Sequence, residues 1–519
     1  MAYAITQTCC TDATCVSVCP VNCIHPTPEE PGFATAELLH IDPVACIDCG
    51  ACADACPVDA IYPVDRLAGT LAGYGELNRQ YYEENPTGHE WGEPQFPRSL
   101  AGEHGTLRVA VVGTGPAAAY TVQTLLRSAG AQVTVLDRLP VAGGLLRHGV
   151  APDHPSTKRI GDGFGRLWRH PRLRLHLNVE VGRDLASDEL AAHHHAVVYA
   201  VGAGRERELG VPGEEHALPV STFVGWYNAE PTVPADAVDL SAQRVVLIGN
   251  GNVALDVARI LVTDPGQLAA TDIAEHALAA LRDSQVREVV LLARRGPEHA
   301  AYTRAEFLAL RQLAGVSVVV DAPGAESAGG KAALLDGLAR ERVDWHRPPP
   351  AGRRIVLRFG APPVALHRDG VELAGGERLP AGLVVRSIGY RGAPVPGLPF
   401  DEAAGTLAHR DGRVAPGVYV VGWAKRGPAG GIGSNRACAE QTVHALLDDA
   451  EAGLLTGPVG AAADFARLVR RRRPAATGLR ELLAIDRVER ARGAALGRPR
   501  VKLASVPELL AAGRRFGRG

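Results

Sequence analysis

The stretch LRVAVVGTGPAA, residues 107–118, decides how most of this chain folds. Its apolar first half predicts a buried strand, Gly113 and Gly115 predict a tight turn, and Ala117 lies at the start of an expected helix. A second apolar run ends at Asp137. Such a βαβ unit binds a dinucleotide, with the pyrophosphate at the helix N-terminus and the adenosine ribose at the acid. A plain glycine turn is the alternative for the motif taken alone.

A second unit of this kind begins at Arg244. The residues at its turn and helix start are Asn250, Gly251, Asn252 and Val253. The strand that follows ends in Arg294 and Arg295 instead of an acid. Adjacent guanidinium groups at the carboxyl end of a strand suit a 2′-phosphate, so the pattern favours NADP over NAD. A solvated arginine pair is the alternative.

The first 63 residues carry the spacing C-x2-C-x2-C-x3-C-P twice, 37 positions apart. This spacing is typical of chains with two iron–sulfur clusters, in which the cysteine before proline ligates the other cluster. Asp12 replaces the second cysteine of the first copy. The predicted ligands of a 4Fe–4S cluster are Cys46, Cys49, Cys52 and Cys19. The predicted ligands of the other cluster are Cys9, Asp12, Cys15 and Cys56.

Asp12 makes the two predicted clusters unequal. A carboxylate oxygen is a harder and weaker ligand for iron than a thiolate. The second cluster is therefore expected to be 3Fe–4S, or 4Fe–4S with an aspartate ligand. Cys10 could replace Cys9 as a ligand, and Cys23 is expected to be a packed free thiol. Zinc is the alternative metal, but structural zinc sites use separate C-x2-C pairs.

Charge is distributed unevenly along the chain. Residues 1–63 contain eight acidic side chains and no Lys or Arg, and the whole chain has a net charge of −2, which leaves +6 for the rest. This asymmetry favours electrostatic docking between the two parts or onto an outside partner. A small acidic domain that is merely well solvated is the alternative. Nothing indicates nucleic-acid binding, since the larger part is only mildly basic.

Length and cysteine usage limit the class of protein. A chain of 519 residues is expected to form two to four domains. It has no run of 18 apolar residues, and its first residues lack the features of a signal peptide, so neither a membrane span nor a signal sequence is expected. Nine of the ten cysteines precede residue 57, which suits metal ligation in the reducing cytoplasm better than a disulfide framework.

Several ordered segments carry a family resemblance. They are Gly144–Leu145 and the ranges 149–154, 248–258, 294–297, 422–428 and 430–433. Through them residues 107–519 resemble the adrenodoxin-reductase-like NADPH–ferredoxin reductases, and residues 1–63 resemble a seven- or eight-iron bacterial ferredoxin. The whole chain is similar to the actinobacterial ferredoxin–NADP reductases that carry a fused ferredoxin.

The resemblance implies the fold class. An α+β ferredoxin domain would precede an α/β flavoprotein with two dinucleotide-binding domains, in which a Rossmann-like FAD domain holds an inserted NADP domain. The residue pattern sets the expected limits. The cysteine spacing lies within 1–63, and scattered Gly, Pro and charged residues predict a surface linker over 64–106. The order of the βαβ units predicts an FAD domain in two parts, 107–215 and 386–519, with the NADP domain over 216–385 between them. The second part of the FAD domain would include C-terminal helices.

The resemblance also implies site residues. FAD would be lined by Ala117, Asp137, Leu145 and Val181 and covered by Trp423, Gly430, Gly431 and Ile432. NADP would be bound by Asn250 to Val253, Arg294, Arg295 and Glu306, with Gly430 shared. His154 and Glu306 match the pair that the family places near the flavin and the nicotinamide. Without the resemblance, His154 would be an ordinary surface histidine and Trp423 a core residue.

Together these features predict an electron path. A nicotinamide gives two electrons as hydride, a cluster takes one, and a flavin works with both. The chain is therefore expected to be a ferredoxin–NADP(+) reductase that passes hydride from NADPH to FAD, then single electrons to its own clusters, an external ferredoxin or another redox protein. His154 and Glu306 would orient the nicotinamide or manage protons. The alternatives are an electron-input subunit of a larger enzyme, like the small subunit of glutamate synthase, and a non-enzymatic iron–sulfur redox sensor.

Overall fold

The predicted fold class is confirmed by the computed structural model, which describes residues 2–90, 98–101, 106–127, 131–321, 329–455, 457 and 460–515. Residues 91–97 and 102–105 of the expected linker lie outside this range. The N-terminal part, here called the cluster module (residues 2–63), is built from short elements. Its strands and helices are β1 (Tyr3–Ile5), α1 (Thr14–Val18), β2 (Ile24–His25), β3 (His40–Ile41), α2 (Ala51–Ala55) and β4 (Ile61–Pro63). β1 pairs antiparallel with β4, and β2 pairs antiparallel with β3.

The prediction of a bare surface linker is wrong for part of residues 64–106. Helix α3 (Tyr74–Glu84) packs onto the cluster module, and both Tyr74 and Asn78 are buried. The Asn78 Oδ1 accepts hydrogen bonds from the backbone N–H groups of Ile5 (3.1 Å) and Ile41 (2.8 Å). The Asn78 side chain thus accepts hydrogen bonds from the N–H groups of β1 and β3 that no strand of the described part of the chain pairs with at these two residues.

The first dinucleotide-binding unit forms a six-stranded sheet among the described residues. Its elements are β5 (Arg108–Val112), α4 (Pro116–Arg127), β6 (Gln132–Asp137), α5 (Leu145–His148), α6 (Pro155–Leu167), β7 (Leu173–Leu177), α7 (Ser187–Ala191) and β8 (Ala196–Tyr199). The parallel strands β8, β5, β6 and β7 lie side by side in that order. The inner strands β5 and β8 are almost entirely buried on both faces, whereas the edge strand β7 alternates buried leucines with the exposed Arg174 and the half-buried His176.

The second unit interrupts the first. After β9 (Arg205–Glu206), its elements are β10 (Leu218–Pro219), α8 (Val220–Tyr227), β11 (Arg244–Ile248), α9 (Asn252–Val262), α10 (Pro265–Leu268), α11 (Glu275–Arg282), β12 (Glu288–Leu292), α12 (Arg304–Arg311), β13 (Val316–Val320), β14 (Ala339–Arg340), β15 (Arg353–Arg358), β16 (Pro363–His367), β17 (Gly370–Leu373), β18 (Arg378–Pro380) and β19 (Leu383–Arg386). Among the described residues, this unit forms a seven-stranded sheet in the order β10-β19-β11-β12-β15-β13-β14. β11, which precedes the second glycine turn, is central and parallel to β12 and β19.

The chain then returns to the first sheet. The remaining elements are β20 (Tyr390–Arg391), β21 (Phe400–Asp401), β22 (Thr406–Leu407), β23 (Arg413–Ala415), β24 (Val418–Val420), α13 (Trp423–Arg426), α14 (Ser434–Glu451), α15 (Ala462–Arg472), α16 (Leu479–Ala494) and α17 (Val506–Arg515). β24 pairs in parallel with β8 of the first sheet. Among the residues that the structure describes, no helix is long and apolar enough to cross a membrane.

The cluster module shares its hydrophobic core with the nucleotide-binding part of the chain. Ile5, Val58 and other buried residues of the module pack in one cluster with Leu146, Ile160 and Ala305. Burial of apolar surface contributes about 25 cal/mol per Å², so a shared core fixes the module more firmly than a flexible tether would. The module is therefore seated directly on the two nucleotide-binding units.

Candidate functional site

The two copies of the cysteine spacing fold into matching structures. Helices α1 and α2 begin and end at equivalent positions of the repeat. The residues on both sides of Asp12, and those on both sides of Cys49, have left-handed φ angles between 55° and 74°. Asp12 therefore occupies, in the first loop, the corner that Cys49 occupies in the second.

The first cavity of the module, here called the Asp12 cavity, gathers ligand candidates from both copies. Its polar and sulfur lining comes from Cys9, Cys10, Asp12, Cys15 and Cys56. The Asp12 carboxylate accepts hydrogen bonds from the backbone N–H (3.2 Å) and the hydroxyl of Thr14 at the start of α1. The repeat places Ala51 opposite Thr14, so this hydroxyl has no counterpart in the second copy.

The second cavity, here called the Cys49 cavity, takes most of its ligand candidates from cysteines of the second copy and one, Cys19, from the first. Its sulfur lining comes from Cys19, Cys23, Cys46, Cys49 and Cys52. Cys23 does more than pack, because its Sγ lies 3.5 Å from the Sγ of Cys19. Cys19 also accepts a backbone N–H from Cys23 at 3.4 Å, and Cys56 accepts the equivalent one from Ala60 at 3.2 Å. The structure thus brings each Cys-Pro cysteine to the cavity of the other copy.

The thiols of both cavities have the chemistry of metal ligands. Burial raises the pKa of Cys9 to about 11 and that of Cys52 to about 12, and it raises the pKa of Cys15 well above the usual value. Neighbouring thiolates and Asp12 raise it further. The hydrogen bond with Cys23 instead lowers the pKa of Cys19 to about 5. Thiols from both copies nevertheless converge on two small cavities, at the spacing that iron–sulfur clusters use. The donor set therefore fits two clusters.

The first glycine turn is shaped for a pyrophosphate. Gly113 has a φ of 114°, and a Cβ at this residue would lie 2.5 Å from the carbonyl oxygen of Ala200, so only glycine fits. A Cβ at Gly115 would meet no described atom within 4 Å, so open space lies at the N-terminus of α4. Free backbone N–H groups and the helix dipole favour an anion there. The turn therefore fits FAD.

Asp137 stands at the end of β6, next to this turn. Its Oδ2 accepts the hydroxyl of Thr114 at 2.5 Å, and its Oδ1 accepts the N–H of Leu139 at 2.9 Å. Thr114 in turn accepts the N–H of Gly143 at 3.1 Å. Burial raises the pKa of Asp137. These hydrogen bonds orient the acid and join it to the loop that leads into α5, where Leu145 leaves 47% of its surface exposed.

The other predicted FAD residues come from three separate segments. Val181 packs against a buried cluster that includes Val112 and Leu136, the last apolar residues of β5 and β6. Trp423 begins α13, and its ring lies 6.0 Å from that of Tyr390. Ala117 packs against Gly422, where a Cβ would lie only 2.5 Å from the Ala117 Cβ. Gly430 and Gly431 are exposed in the loop that precedes α14, which also contains the half-buried Ile432.

The second glycine turn has the same construction. Gly249 has a φ of 117°, and a Cβ there would lie 2.0 Å from the carbonyl oxygen of Ser387. Gly251 and Val253 flank the first residue of α9. The Asn250 and Asn252 side chains accept backbone N–H groups of residues 301 and 303, at 3.2 and 2.8 Å. They therefore hold the segment that leads into α12, which carries Glu306.

Arg294 and Arg295 come two and three residues after the end of β12, at the edge where β11 ends. Both side chains are exposed, and among the described residues neither guanidinium forms an ion pair. Exposed, adjacent guanidinium groups beside a nucleotide-binding turn are available to a phosphate group. Their position fits the 2′-phosphate of NADP.

His154 and Glu306 are brought together by an arginine that sequence reasoning missed. The His154 Nε2 lies 3.9 Å from the Glu306 Oε2, and the Arg259 guanidinium lies within 3.5 Å of both side chains. Arg259 also binds Asp153 (2.5 Å) and Asp256 (2.6 Å). Asp256 and Arg259 are three residues apart on α9 and so share a helix face. That spacing, just after the second glycine turn, is the signal that could have found them.

The charges of this group set its protonation. Burial opposes the charged form of His154, but the hydrogen bond and the negative charge of Asp256 outweigh it and raise the pKa of His154. Burial raises the pKa of Glu306, and Asp256 adds to the effect. Burial also penalises the Asp256 carboxylate, but Arg259 more than compensates and lowers its pKa. His154 and Glu306 therefore both have pKa values above their usual values.

The same group could be mistaken for a metal site. Ligand atoms of His154, Asp256 and Glu306 lie within 4.8 Å of one another. However, the Nη2 of Arg259 lies 2.6 Å from both the His154 Nε2 and the Asp256 Oδ1. A permanently charged guanidinium already neutralises these carboxylates, and a second cation beside it would be repelled.

The Asp12 cavity touches the loop that is predicted to cover the flavin. The Gly433 N–H donates to the Cys10 carbonyl oxygen at 2.8 Å. The Arg436 guanidinium donates to the Asp12 carbonyl oxygen at 3.4 Å and to the Thr14 hydroxyl at 3.1 Å. A Cβ at Gly433 would lie 2.2 Å from the Asp12 backbone nitrogen, so the two segments are in close contact. The first cluster loop and the flavin loop therefore form one continuous structure.

Comparison with protein families agrees with this division. The family described as "4Fe-4S binding domain" matches residues 39–62, and the family described as "Pyridine nucleotide-disulphide oxidoreductase" matches residues 107–296. The first match contains the complete second copy of the cysteine spacing and does not reach the copy with Asp12.

Individual relatives cover more of the chain. It is 48% identical to a "Probable ferredoxin/ferredoxin--NADP reductase" of Mycobacterium bovis, over 99% of this chain and 95% of that protein. It is 38% identical to the human "NADPH:adrenodoxin oxidoreductase, mitochondrial", over 80% of this chain and 94% of that protein. The solved structure "Mycobacterium tuberculosis FprA in complex with NADPH" superimposes with a TM-score of 0.73 at 41% identity, over 79% of this chain and all of that one.

Proposed function

This chain belongs to the ferredoxin–NADP reductases that carry a ferredoxin-type domain in the same polypeptide, and from that membership we propose how its residues divide the work. It is an NADPH-dependent oxidoreductase that passes electrons to ferredoxin. When bound, FAD accepts hydride from NADPH and releases electrons singly, and each iron–sulfur cluster carries one of them. Everything else in the reaction is positioning by the chain.

The two glycine turns hold the nucleotides. Gly113, Gly115 and Asp137 bind the pyrophosphate and ribose of FAD, and Leu145, Trp423 and Gly430 to Ile432 surround its ring system. The turn from Asn250 to Val253 binds NADPH. The support is the open space at the N-terminus of α4 and the matching construction of the two turns. The domain limits 107–215, 216–385 and 386–519 belong to this proposal.

Arg294 and Arg295 select NADPH through its 2′-phosphate. Hydrogen bonds to a charged group contribute about 1.5–3 kcal/mol each. Replacing both residues with alanine is therefore expected to raise the KM for NADPH more than about tenfold and to leave the KM for NADH nearly unchanged. Arg342→Ala, at an exposed arginine of the same domain, is the matched control. Equal losses for both nucleotides in the double variant would refute the assignment.

His154 and Glu306 position the nicotinamide and hold protons beside it. Arg259 fixes both side chains through contacts of 2.6 and 3.5 Å. A guanidinium only donates, so an unprotonated His154 Nε2 accepts a hydrogen bond from Arg259. A protonated Nε2 donates to Asp256 instead. His154 can therefore gain or lose a proton at Nε2 by changing its hydrogen-bond partner, while the ring stays in position.

The cluster module holds one 4Fe–4S and one 3Fe–4S cluster. Cys19, Cys46, Cys49 and Cys52 bind the first, and Cys9, Cys15 and Cys56 bind the second. Thr14 supports the three-iron form, because its N–H and hydroxyl occupy the Asp12 carboxylate. A carboxylate that is already hydrogen-bonded competes poorly for a corner iron. The ten unpaired cysteines also favour the reducing cytoplasm as the location.

The contact between Gly433 and the Cys10–Asp12 backbone is the observation that supports the electron path best. It places the first cluster loop against the predicted flavin loop. The test is anaerobic purification followed by absorption and EPR spectra before and after NADPH is added. We expect flavin bands, a three-iron signal in the oxidised protein, and reduction of flavin and clusters by NADPH. Clusters that stay oxidised while the flavin is reduced would contradict the path.

A further inference from the structure

Among the described residues, one exposed face of the cluster module forms no hydrogen bond or ion pair with the nucleotide-binding units. The hydrogen bonds and ion pairs that tie the module to the nucleotide-binding units start from residues 10–14, 37 and 59. The Asp12 cavity lies on that side. The Cys49 cavity is lined from two other segments, by Cys19 and Pro20 in the first and by Cys46, Ile47 and Cys49 in the second. Val18 and Val44 lie within two residues of these lining residues in the sequence. The two segments carry the exposed ligand Cys49 and exposed apolar side chains.

These apolar side chains are unusually open to solvent. Val44 leaves 93% of its surface exposed, Ile47 59% and Val18 39%. Ile47 and the exposed Pro20 also line the Cys49 cavity itself. A group of exposed apolar residues around an otherwise functional cavity marks a surface where another molecule binds. We call Val18, Pro20, Val44 and Ile47 the exit face.

The module that carries the exit face has only one sign of charge. The module has no Lys or Arg, and acidic residues such as Asp48, Asp54 and Glu29 are exposed on it. Transient interfaces pair an apolar centre with a charged rim of the opposite sign, which speeds encounter and excludes wrong partners. An acidic ferredoxin would be repelled by this rim.

We propose that the exit face is the docking surface for a one-electron acceptor protein whose redox centre is surrounded by Lys and Arg. This inference rests on the proposed function, since it requires that electrons reach the Cys49 cavity through the Asp12 cavity. The acceptor's apolar centre covers Val44 and Ile47, and its basic rim meets the acidic surface of the module. Cys49, the exposed ligand, is the point at which one electron leaves the 4Fe–4S cluster and reduces the acceptor.

The test uses the complete protein, NADPH, and cytochrome c as a cationic one-electron acceptor. Val44→Lys places a positive charge on the exit face at a residue with almost no internal contacts. We expect it to lower kcat/KM for cytochrome c about three- to tenfold at low salt. Val44→Glu is expected to keep or raise the wild-type value. The matched control is Leu496→Lys, at a residue that is 60% exposed on another part of the chain.

A second readout separates this proposal from the proposed function. Rapid freezing and EPR measure how fast NADPH reduces the clusters, and this rate is expected to be the same in wild type, Val44→Lys and Leu496→Lys. Equal cytochrome c rates in wild type and Val44→Lys, or equal losses in the two lysine variants, would overturn the exit face. Clusters that NADPH fails to reduce even in wild type would overturn the electron path instead.

Discussion

The Asp12 cavity and the Cys49 cavity descend from the same repeated spacing, yet their surroundings differ. Both are closed by cysteines from the two copies, and the loops around Asp12 and Cys49 share their left-handed backbone angles. The Asp12 loop is pressed against Gly433, whereas Cys49 is exposed. In our proposal, these contacts outside the motif make the Asp12 cavity the electron entrance and the Cys49 cavity the electron exit.

The largest effect is expected when Asp12 is replaced by the cysteine that the second copy has at the equivalent position, Cys49. Asp12→Cys supplies the missing thiolate, which binds iron more strongly than a carboxylate. The whole three-iron EPR signal of the oxidised protein is expected to disappear and a second 4Fe–4S cluster to appear on reduction.

Asp12→Asn is the control for that change, because it keeps the shape of the side chain and supplies no thiolate. It is expected to retain the three-iron signal. Persistence of this signal in a fully loaded Asp12→Cys protein would mean that Asp12 does not occupy the cluster corner, and the comparison of the two cavities would lose its basis.

The next largest effect is expected where the entrance meets the flavin loop. Gly433 has ordinary helical backbone angles, so alanine is sterically allowed there except for the Asp12 loop, whose backbone nitrogen would lie 2.2 Å from the new Cβ. Overpacking of this kind costs about 1–3 kcal/mol. We expect Gly433→Ala to slow reduction of the clusters by NADPH roughly tenfold in stopped-flow measurements, while flavin reduction stays fast.

Gly163→Ala is the matched control, since a Cβ at Gly163 meets nothing within 4 Å. It should leave both steps unchanged. If Gly433→Ala slowed flavin reduction as much as cluster reduction, the contact would serve the flavin site itself and not the connection to the clusters.

The sequence was most informative where the chemistry depends on short spacings. The cysteine runs and the two glycine turns predicted the fold class, because a strand, a glycine turn and a helix are local features. Asn78 was missed because its partners, Ile5 and Ile41, are far away in the sequence. Arg259 was missed for the same reason, since its role appears only when α6, α9 and α12 are packed together.

The contact between Cys10 and Gly433 could not be predicted at all. It joins two loops that lie 423 positions apart in the sequence, and no short-range pattern connects them. The charge asymmetry did indicate some form of docking. The structure adds that an apolar core holds the module, with the Asp59–Arg159 and Glu37–Lys331 ion pairs at its edge.

A smaller effect is expected from Cys23, which lies beside only one of the two proposed Cys-Pro ligands, Cys19 and not Cys56. Each of these ligands accepts a backbone N–H, but only Cys19 has a thiol 3.5 Å away. When Cys19 is bound to iron as a thiolate, Cys23 is the donor. Hydrogen bonds to ligand sulfur raise the reduction potential of a cluster. Cys23→Ala should therefore lower the midpoint potential of the 4Fe–4S cluster in an EPR-monitored redox titration.

The reciprocal variant is Ala60→Cys, which supplies a thiol at the equivalent place beside Cys56. It is expected to raise the potential of the three-iron cluster and to leave the other unchanged. A shift of both potentials in either variant would show a general change in the module and not a hydrogen bond to one ligand.

The smallest effect is expected at the edge of the entrance. Arg159 and Asp59 form an ion pair at 2.5 Å, but both side chains are 53% exposed. Exposed pairs contribute at most about 1 kcal/mol, and salt screens them. Because the shared apolar core holds the module, we expect Arg159→Ala to leave the rate of cluster reduction by NADPH nearly unchanged. Added salt is also expected to leave that rate nearly unchanged.

The reduction of cytochrome c at the exit face, in contrast, should become slower as salt is added, because that encounter depends on charge. A strong loss of internal cluster reduction in Arg159→Ala, or in high salt, would show that charge and not apolar packing seats the module, and the entrance would then resemble the exit.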